Sequence, residues 1–376
     1  MSDSIPDIKL PADLLPTDGR FGSGPSKVRE EAIEALAKAA PSYLGTSHRQ
    51  PGVRSVVANI RHGLAELFRL PDGYEVVIGN GGATAFWDAA VFGLIEQKSQ
   101  HLSFGEFSAK FAAAVARAPH LKEPEVIESP AGTHPEARPN PEIDLYALTQ
   151  NETSTGVAME IRRPDEKGLV LVDATSAAGG MRVDAESFDV YYFSPQKCFG
   201  SDGGLWVACC SPAAIERIER LTDSQRWIPP SLDLSIALDN SRKDQTYNTP
   251  ALATIFLLSN QIDWMKDHGG MEWAATRCEL SAAIVYGWAE ESAVATPFVT
   301  RSEDRSPVTA TIDIDRSVDA ATVSAVLREN GIVDTESYRK LGRNQLRFAL
   351  FPAIEPNDVA ILTRAIEHVA ERILDT

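Results

Sequence analysis

The sequence predicts an α/β fold built on a mostly parallel sheet. Three observations predict it: apolar runs of strand length recur, most end in a polar or glycine-rich tip, and helical segments separate several of them. These runs, within residues 74–193, are YEVVIG, HLSFGEF, EIDLYALTQ, GLVLV and DVYYF. Because parallel strands end at one edge of a sheet, we expect the chemistry at the carboxyl ends of these runs.

Helices are predicted from the spacing of apolar residues and from start and stop signals. One helix is expected over residues 26–39, after the loop GRFGSGP, and a second ends at Leu70 because Pro71 follows. Pro250 opens a long helix that stops at the glycine pair 269–270, and another helix follows directly. Beyond these helices we expect a strand (VTATIDI), a helix, a strand (NQLRFALF) and a final helix.

The chain is predicted to have three parts. Residues 1–20, rich in proline and aspartate, form an extended N-terminal arm. Residues 21–268 form a large α/β domain, and residues 269–376 form a smaller α+β C-terminal domain. A chain of 376 residues is longer than one hydrophobic core usually organises, which favours this division.

Composition and charge exclude several classes of function. Thirty-six Lys and Arg against 53 Asp and Glu give a formal net charge of -17, which disfavours a nucleic-acid partner. No window approaches the ~18 consecutive apolar residues of a membrane span, and the acidic, proline-broken N-terminus is unlike a signal peptide. We therefore expect a cytoplasmic protein without a membrane partner. The four cysteines lack metal-ligand spacing, so we interpret them as reduced packing residues and expect no metal.

A glycine-rich turn follows the first predicted strand and precedes an apolar helix that begins near Ala83 and Thr84. A helix N-terminus reached through glycines suits a phosphate group. The turn lacks the lysine of a nucleotide-triphosphate loop. A dinucleotide fingerprint would use Gly79, Gly81 and Thr84, with Glu106 on a ribose, but its third small residue is wrong. A tight turn without a ligand stays open from the residues alone.

Two polar residues at predicted strand ends complete a candidate site. Asp173 follows GLVLV, and Lys197 follows DVYYFSPQ one strand later. A buried strand end lowers the pKa of a lysine, as Schiff-base chemistry requires. A phosphate cradle, an aspartate for the ring nitrogen and a lysine for the aldehyde carbon are what a pyridoxal phosphate site needs. An aromatic residue should stack on the ring, and Phe107 lies at another strand end.

Several short motifs are characteristic of one protein family. RFGSGPSKV, TSHRQ, NET, VDATS, PQK and YNTP resemble the phosphoserine aminotransferases in their actinobacterial form, from about residue 20 to the end of the chain. The family belongs to the class V, fold-type I aminotransferases. The resemblance implies a seven-stranded-type sheet and a homodimer with shared active sites. It implies transfer of an amino group between glutamate and 3-phosphohydroxypyruvate, which gives O-phosphoserine and 2-oxoglutarate. Family members often also accept 4-phosphohydroxy-L-threonine, an intermediate related to pyridoxine synthesis.

The resemblance also implies roles for individual residues. Lys197 would bond to the cofactor, Asp173 would pair with its ring nitrogen and Thr153 with its ring hydroxyl. Phe107 stands where many relatives have a tryptophan. The groups around the cofactor phosphate would be Ala83, Thr84 and Gln196, with Asn248 and Thr249 of the neighbouring subunit.

For the substrate, the resemblance implies that His48 and Arg49 meet the phosphate or distal carboxylate and that Arg347 clamps the α-carboxylate. Strand alternation in NQLRFALF agrees in part, because it places Arg347 on the face opposite Leu346 and Phe348. Many relatives carry an arginine in the glycine-rich turn, where this chain has Thr84. We expect a basic residue from YRKLGRNQ to replace it; the candidates are Arg339, Lys340 and Arg343.

Three other functions remain open on the sequence alone. Within class V, they are an alanine–glyoxylate type aminotransferase and a cysteine desulfurase, although no cysteine here lies in a glycine-rich distal loop. Outside enzymes, the alternative is an α/β protein that binds a ligand without catalysis.

Overall fold

A computed structural model describes residues 5–165 and 167–375; the first four residues of the predicted arm lie outside it. Twelve strands are described: β1 (Glu75–Asn80), β2 (Ser99–Ser103), β3 (Glu125–Glu128), β4 (Leu145–Thr149), β5 (Asn151–Glu152), β6 (Val157–Ala158), β7 (Leu169–Asp173), β8 (Val190–Phe193), β9 (Leu205–Cys210), β10 (Ala295–Pro297), β11 (Thr309–Ile314) and β12 (Gln345–Ala349).

Ten α-helices are described: α1 (Glu30–Tyr43), α2 (Pro51–Leu67), α3 (Ala83–Gly93), α4 (Glu106–Ala116), α5 (Pro212–Asp223), α6 (Leu234–Ser241), α7 (Leu252–Asp267), α8 (Gly270–Glu291), α9 (Ala320–Glu329) and α10 (Pro356–Leu374). Among the described residues, no helix is long and apolar enough to cross a membrane.

The main sheet has seven strands in the order β1-β9-β8-β7-β4-β2-β3. Strands β8, β7, β4, β2 and β3 are parallel, and β9 runs antiparallel to both of its neighbours. The mostly parallel sheet is therefore confirmed. Its central strands are buried throughout, as expected for a sheet covered by helices on both faces.

The strand register brings the predicted chemistry to one edge. Thr149 at the end of β4 pairs with Asp173 at the end of β7, which pairs in turn with Tyr192 of β8. Lys197 follows four residues after the last residue of β8. The carboxyl ends of three neighbouring strands thus surround the position of the lysine, as the fold class requires.

A second, antiparallel sheet has the order β10-β11-β12 and packs with α8, α9 and α10 around a separate apolar core. Leu10 and Phe21 are buried in this same core, and the N–H of Leu10 donates to Asn330 Oδ1 at 3.0 Å. The described part of the N-terminal arm therefore packs on the C-terminal unit. The division at residues 20/21 and 268/269 stays a prediction.

Several element bounds differ from the predicted ones. The first helix begins at Glu30, not at Ser26, because the N–H of Ser26 donates to the Gln196 carbonyl at 2.8 Å and residue 29 is still extended. The second helix ends at Leu67, three residues before the predicted end. The run HLSFGEF is only partly strand, since α4 begins at Glu106.

Candidate active site

A cavity of about 320 Å³ lies at the carboxyl edge of the main sheet. Eight of the residues predicted for the site line it together: Ala83, Thr84, Phe107, Thr153, Asp173, Gln196, Lys197 and Arg347. They come from the ends of separate strands, from two helix N-termini and from β12 of the second sheet. The fold therefore gathers most of the predicted cofactor residues in one place.

Lys197 is the buried amine of this cavity, with 6% of its surface exposed. Its Nζ donates to Thr153 Oγ1 at 2.8 Å and lies 5.2 Å from the centre of the Phe107 ring. Burial lowers the pKa of Lys197 to about 8; the Asp173 carboxylate opposes this change and Arg347 adds to it. An amine with such a pKa is partly neutral near physiological pH and can act as a nucleophile or a base.

Asp173 supplies a buried carboxylate beside the amine. It is the last residue of β7, it is 7% exposed, and its Oδ1 accepts from the N–H of Thr175 at 2.9 Å. On the neighbouring strand, the hydroxyl of Tyr192 accepts from Trp87 Nε1 at 2.7 Å, and Trp87 also lines the cavity. The hydroxyl of Tyr192 is also hydrogen-bonded to the Asp173 carboxylate, which still keeps acceptor capacity for a ligand.

Thr153 connects the amine to the second sheet. Its hydroxyl accepts from Lys197 and donates to Ser176 Oγ at 2.8 Å, so the side chain is fixed by both bonds. Its carbonyl accepts from Arg347 Nη1 at 3.1 Å. One residue of the NET segment therefore sets the separation between the amine and the guanidinium group.

Arg347 points from β12 into the cavity, and strand alternation buries its neighbours Leu346 and Phe348 on the opposite face. Its guanidinium lies 5.3 Å from the Tyr338 ring, and its Nε is buried without a hydrogen-bond partner among the described residues. Burial lowers the pKa of Arg347, and Tyr338 and Glu152 oppose that change. A half-buried cationic fork with a donor to spare is suited to a carboxylate.

The glycine-rich turn leads into α3 as predicted. Gly82 occupies the N-cap and provides no side-chain cap for the first N–H groups of the helix, and both Ala83 and Thr84 at the helix start line the cavity. The other glycines have packing reasons: a Cβ on residue 79 would lie 2.1 Å from the Trp206 ring, and Gly81 has a φ of 110°.

The residues present fit pyridoxal phosphate. The cavity offers a buried amine, a carboxylate, an aromatic ring and an uncapped helix N-terminus, which match the aldehyde, ring nitrogen, ring face and phosphate. Its wall also holds buried polar atoms without a partner in the described part of the chain: Ser23 Oγ, Asn151 Oδ1, Thr175 Oγ1 and Gln196 Oε1. Unsatisfied polar atoms in a cavity wall indicate a polar ligand.

Four predicted residues do not line this cavity: His48, Arg49, Asn248 and Thr249. They lie together instead, since His48 Nδ1 is 3.2 Å from Thr249 Oγ1, and Asn80 Nδ2 donates to the Asn248 carbonyl at 3.1 Å. His48 is buried, and its Nε2 has no partner within the described residues. Burial lowers the pKa of His48, and the positive charge of Arg49 lowers it further.

The three basic candidates for the missing arginine also lie outside the cavity wall. Lys340 Nζ is 2.5 Å from Glu106 Oε1, and Arg343 pairs with Asp313. Arg339 is exposed in the same loop, beside the cavity residue Tyr338. Glu106 is also paired with Lys110, so it is engaged by two ammonium groups rather than free for a ribose.

Sequence reasoning missed several wall residues, among them Ser23, Gly24, Trp87, Asn151 and Tyr338. Gly24 is the most informative, because a Cβ there would lie 2.9 Å from Lys197 Cε. The GSGPS motif marked the turn, but nothing local connects it with a lysine so much later in the chain. Tyr338 lies in YRKLGRNQ, a segment in which only the basic residues were predicted to take part in the site.

Comparisons with known proteins identify the family of the chain. A family model described as aminotransferase class-V matches residues 20–334. The phosphoserine aminotransferase of Rhodococcus jostii (strain RHA1) is 57% identical over 366 residues, covering 97% of this chain and 98% of that protein. That of Rhodococcus opacus (strain B4) is 56% identical over 366 residues, with the same coverage.

A solved structure extends the similarity to the fold. The phosphoserine aminotransferase from Cytophaga hutchinsonii matches with a TM-score of 0.86 and 26% identity, covering 94% of this chain and 99% of that one. The predicted fold-type I architecture is thereby confirmed. Because the family model matches most of the chain and the similarity to relatives spans almost its whole length, the chain belongs to the class-V aminotransferase family, whose members use pyridoxal phosphate.

Proposed function

We propose that this protein is a phosphoserine aminotransferase that reversibly transfers an amino group between glutamate and 3-phosphohydroxypyruvate. The products are 2-oxoglutarate and O-phosphoserine. The observation that carries the proposal is the cavity in which Lys197, Asp173 and Arg347 meet, in a chain 57% identical to a phosphoserine aminotransferase. We also propose that the enzyme works in the cytoplasm.

The residues that would hold pyridoxal phosphate follow from the cavity. Ala83, Thr84 and Gln196 would surround its phosphate, Asp173 its ring nitrogen and Thr153 its ring hydroxyl, with Phe107 against the ring. When bound, the cofactor supplies a sink for the electron pair left on the substrate α-carbon. The Asp173 carboxylate would keep a positive charge on the ring nitrogen, which strengthens that sink.

Lys197 would do the proton chemistry. Its Nζ would hold the cofactor and, as a free amine, would remove the α-proton of the substrate as a general base. The lowered pKa of Lys197, about 8 because of burial, leaves a usable fraction of neutral amine near neutral pH. Thr153 Oγ1, 2.8 Å from Nζ, would hold the amine in position near the substrate α-carbon.

Arg347 would bind the α-carboxylate shared by all four substrates and products. Its guanidinium group is anchored by one bond to the Thr153 carbonyl, and its buried Nε remains available. A planar fork of this kind recognises a carboxylate through two parallel hydrogen bonds. The position of the α-carboxylate then places the α-carbon near the amine of Lys197.

We propose that the active enzyme is a homodimer and that the cluster of His48, Arg49, Asn248 and Thr249 serves the cavity of the partner subunit. His48 contacts Thr249, and both residues lie outside the cavity of their own chain. This supports the proposal that their two segments reach the same cavity, that of the partner subunit. The Nε2 of His48, which has no partner among the described residues, would then have an anionic group to bind.

For the missing arginine of the glycine-rich turn, we propose Arg339. Lys340 and Arg343 are each paired with a carboxylate, which leaves them poorly placed to bind a phosphate group. Arg339 is exposed and adjoins Tyr338 at the cavity. A structure with O-phosphoserine in which Arg339 stays away from the phosphate would refute this assignment.

The experiment is an assay of amino transfer from glutamate, with wild-type protein and Lys197→Ala compared under saturating cofactor. We expect turnover with 3-phosphohydroxypyruvate, little with glyoxylate or pyruvate, and negligible turnover in the variant. 4-Phosphohydroxy-L-threonine is assayed as a second amino donor. Reductive trapping followed by mass spectrometry should find the pyridoxyl group on Lys197. Preference for glyoxylate would instead favour an alanine–glyoxylate type aminotransferase.

A cysteine desulfurase is disfavoured by the structure. All four cysteines of the chain, Cys198, Cys209, Cys210 and Cys278, are buried, and burial raises the pKa of each thiol. A desulfurase needs an accessible, reactive thiol on a mobile segment, whereas a buried thiol with a raised pKa is unreactive.

A further inference from the structure

A buried carboxylate outside the proposed catalytic residues lies next to the cavity. Glu152 of β5 is 0% exposed. Its Oε2 accepts from the N–H groups of Phe107 (3.1 Å) and Ser108 (2.9 Å) and from Ser108 Oγ (2.9 Å). Its Oε1 accepts from the N–H of Ser154 (3.2 Å) and from Ser154 Oγ (2.7 Å). Glu152 thus accepts five hydrogen bonds, three of them from backbone N–H groups.

Glu152 takes the place of an N-cap for α4. The N-cap position is Gly105, which has no side chain to bind the free N–H groups of the first turn. A Cβ on residue 105 would lie 2.3 Å from Glu152 Cγ, so the glycine makes room for the distant carboxylate. The start of α4, and with it the backbone of Phe107, is therefore held from β5.

Thr153, the residue after Glu152, accepts hydrogen bonds from two other groups of the cavity wall. Thr153 Oγ1 accepts from Lys197 Nζ at 2.8 Å, and the Thr153 carbonyl accepts from Arg347 Nη1 at 3.1 Å. A shift of Glu152 would move the aromatic ring relative to both cations. The two residues fix the ring, the amine and the guanidinium against one another.

We propose that Glu152 is a positioning residue that sets the Phe107 ring over the Lys197 amine and so determines how tightly pyridoxal phosphate is held. The inference rests on the proposed function, because it takes Phe107 as the residue that stacks on the cofactor. Glu152 acts through Phe107 and Thr153 and does not touch the reacting atoms. Its charge has a second effect: burial lowers the pKa of Lys197, and Glu152 opposes that lowering.

The test is a double-mutant cycle on cofactor affinity, with Glu152→Gln and Phe107→Ala. The amide of glutamine turns one acceptor into a donor that faces N–H groups. We expect the Kd for pyridoxal phosphate to rise about 10-fold in Glu152→Gln, since bonds to a charged acceptor are lost. In the Phe107→Ala background the same change should raise Kd by less than about 2-fold, because the two sites are coupled.

A matched control is Asp358→Asn. Asp358 is a buried carboxylate that also accepts backbone N–H groups, from Thr17 and Asp18, but it lies in the C-terminal unit. This variant should lower Tm and leave the Kd for pyridoxal phosphate unchanged. If Glu152→Gln does not fold, Glu152→Asp, which keeps the charge and shortens the reach, replaces it in the cycle.

Amide hydrogen exchange on the cofactor-free protein separates the inference from the proposed function. Exchange at Phe107 and Ser108 should be faster in Glu152→Gln than in the wild type. Equal Kd increases in the two backgrounds, or unchanged exchange at these amides, would overturn the inference about Glu152. Either result would leave the proposed aminotransferase function intact. A wild-type protein that binds no pyridoxal phosphate would overturn both.

Discussion

Lys197 combines a charge with deep burial, and this combination shapes both the chemistry and the stability of the protein. Burial lowers the pKa of Lys197 from 10.5 to about 8, with Asp173 and Arg347 acting in opposite directions. The unfolded chain therefore binds more protons than the folded one between these two values. The lysine destabilises the cofactor-free fold at neutral pH, and this cost disappears as the pH rises towards 10.5.

The cost can be measured with Lys197→Met in the cofactor-free protein. At pH 7 the variant should have a larger free energy of unfolding than the wild type, by roughly 3 kcal/mol, which corresponds to the interval between the two pKa values. The advantage should shrink as the pH rises from 8 to 10.5. Urea unfolding at several pH values measures it, with the exposed Lys38→Met as control. An advantage that does not change with pH would contradict this account.

At the scale of elements, the turn before α1 determines how closely the chain approaches the lysine. Gly24 has a φ of 140°, and Ser26 is hydrogen-bonded to the Gln196 carbonyl next to Lys197. The loop is thus fastened to the segment that carries the amine. Only glycine has both the backbone conformation and the lack of a side chain that this approach needs.

Gly24→Ala should displace Lys197 and strain the turn. We expect a loss of about 1–3 kcal/mol in stability from the backbone conformation and a large fall in amino transfer from the contact with Lys197 Cε. Gly331→Ala separates the two effects, since Gly331 has a φ of 82° and a Cβ added there would meet no atom within 4 Å. Chemical unfolding and turnover are compared for the two variants. Similar losses of turnover in both would indicate that strain alone is responsible.

At the scale of the whole molecule, the cavity is built from segments far apart in the chain. Gly24 lies in the loop before α1, Thr153 directly after β5, Lys197 in the loop after β8 and Arg347 on β12. The cluster around His48 and Thr249 lies outside this cavity, and the proposed dimer would bring it to the partner subunit. Closed two-fold symmetry would then complete two equivalent sites at once.

Mixed dimers test this arrangement. Lys197→Ala and His48→Ala should each have little activity alone. Co-expressed in equal amounts, they should recover about a quarter of wild-type turnover, because about half of the dimers are mixed and each has one intact site. Lys197→Ala with Asp173→Asn should recover nothing, since both residues line the same cavity. Failure of the first pair to recover activity in confirmed mixed dimers would place His48 in the site of its own chain.

Local patterns in the sequence were sufficient to predict the strands and the polar residues at their ends, because these features depend mainly on neighbouring residues. Apolar runs of strand length predicted the strands, and period-two alternation predicted the direction in which Arg347 points. The carboxyl ends of parallel strands predicted that Asp173 and Lys197 would meet. The start of the first helix was misplaced because Ser26 bonds to Gln196, a contact that no local window contains.

The sequence by itself determined the α/β class, the position of the lysine and aspartate at neighbouring strand ends, and the charge of the protein. Only the tertiary structure decided which residues close the cavity around them. Glu152 caps a helix from another strand, Gly24 leaves space for a lysine side chain, and Tyr338 lies over Arg347. Periodicity and turn preferences act over a few residues, whereas these contacts depend on how distant segments pack in three dimensions.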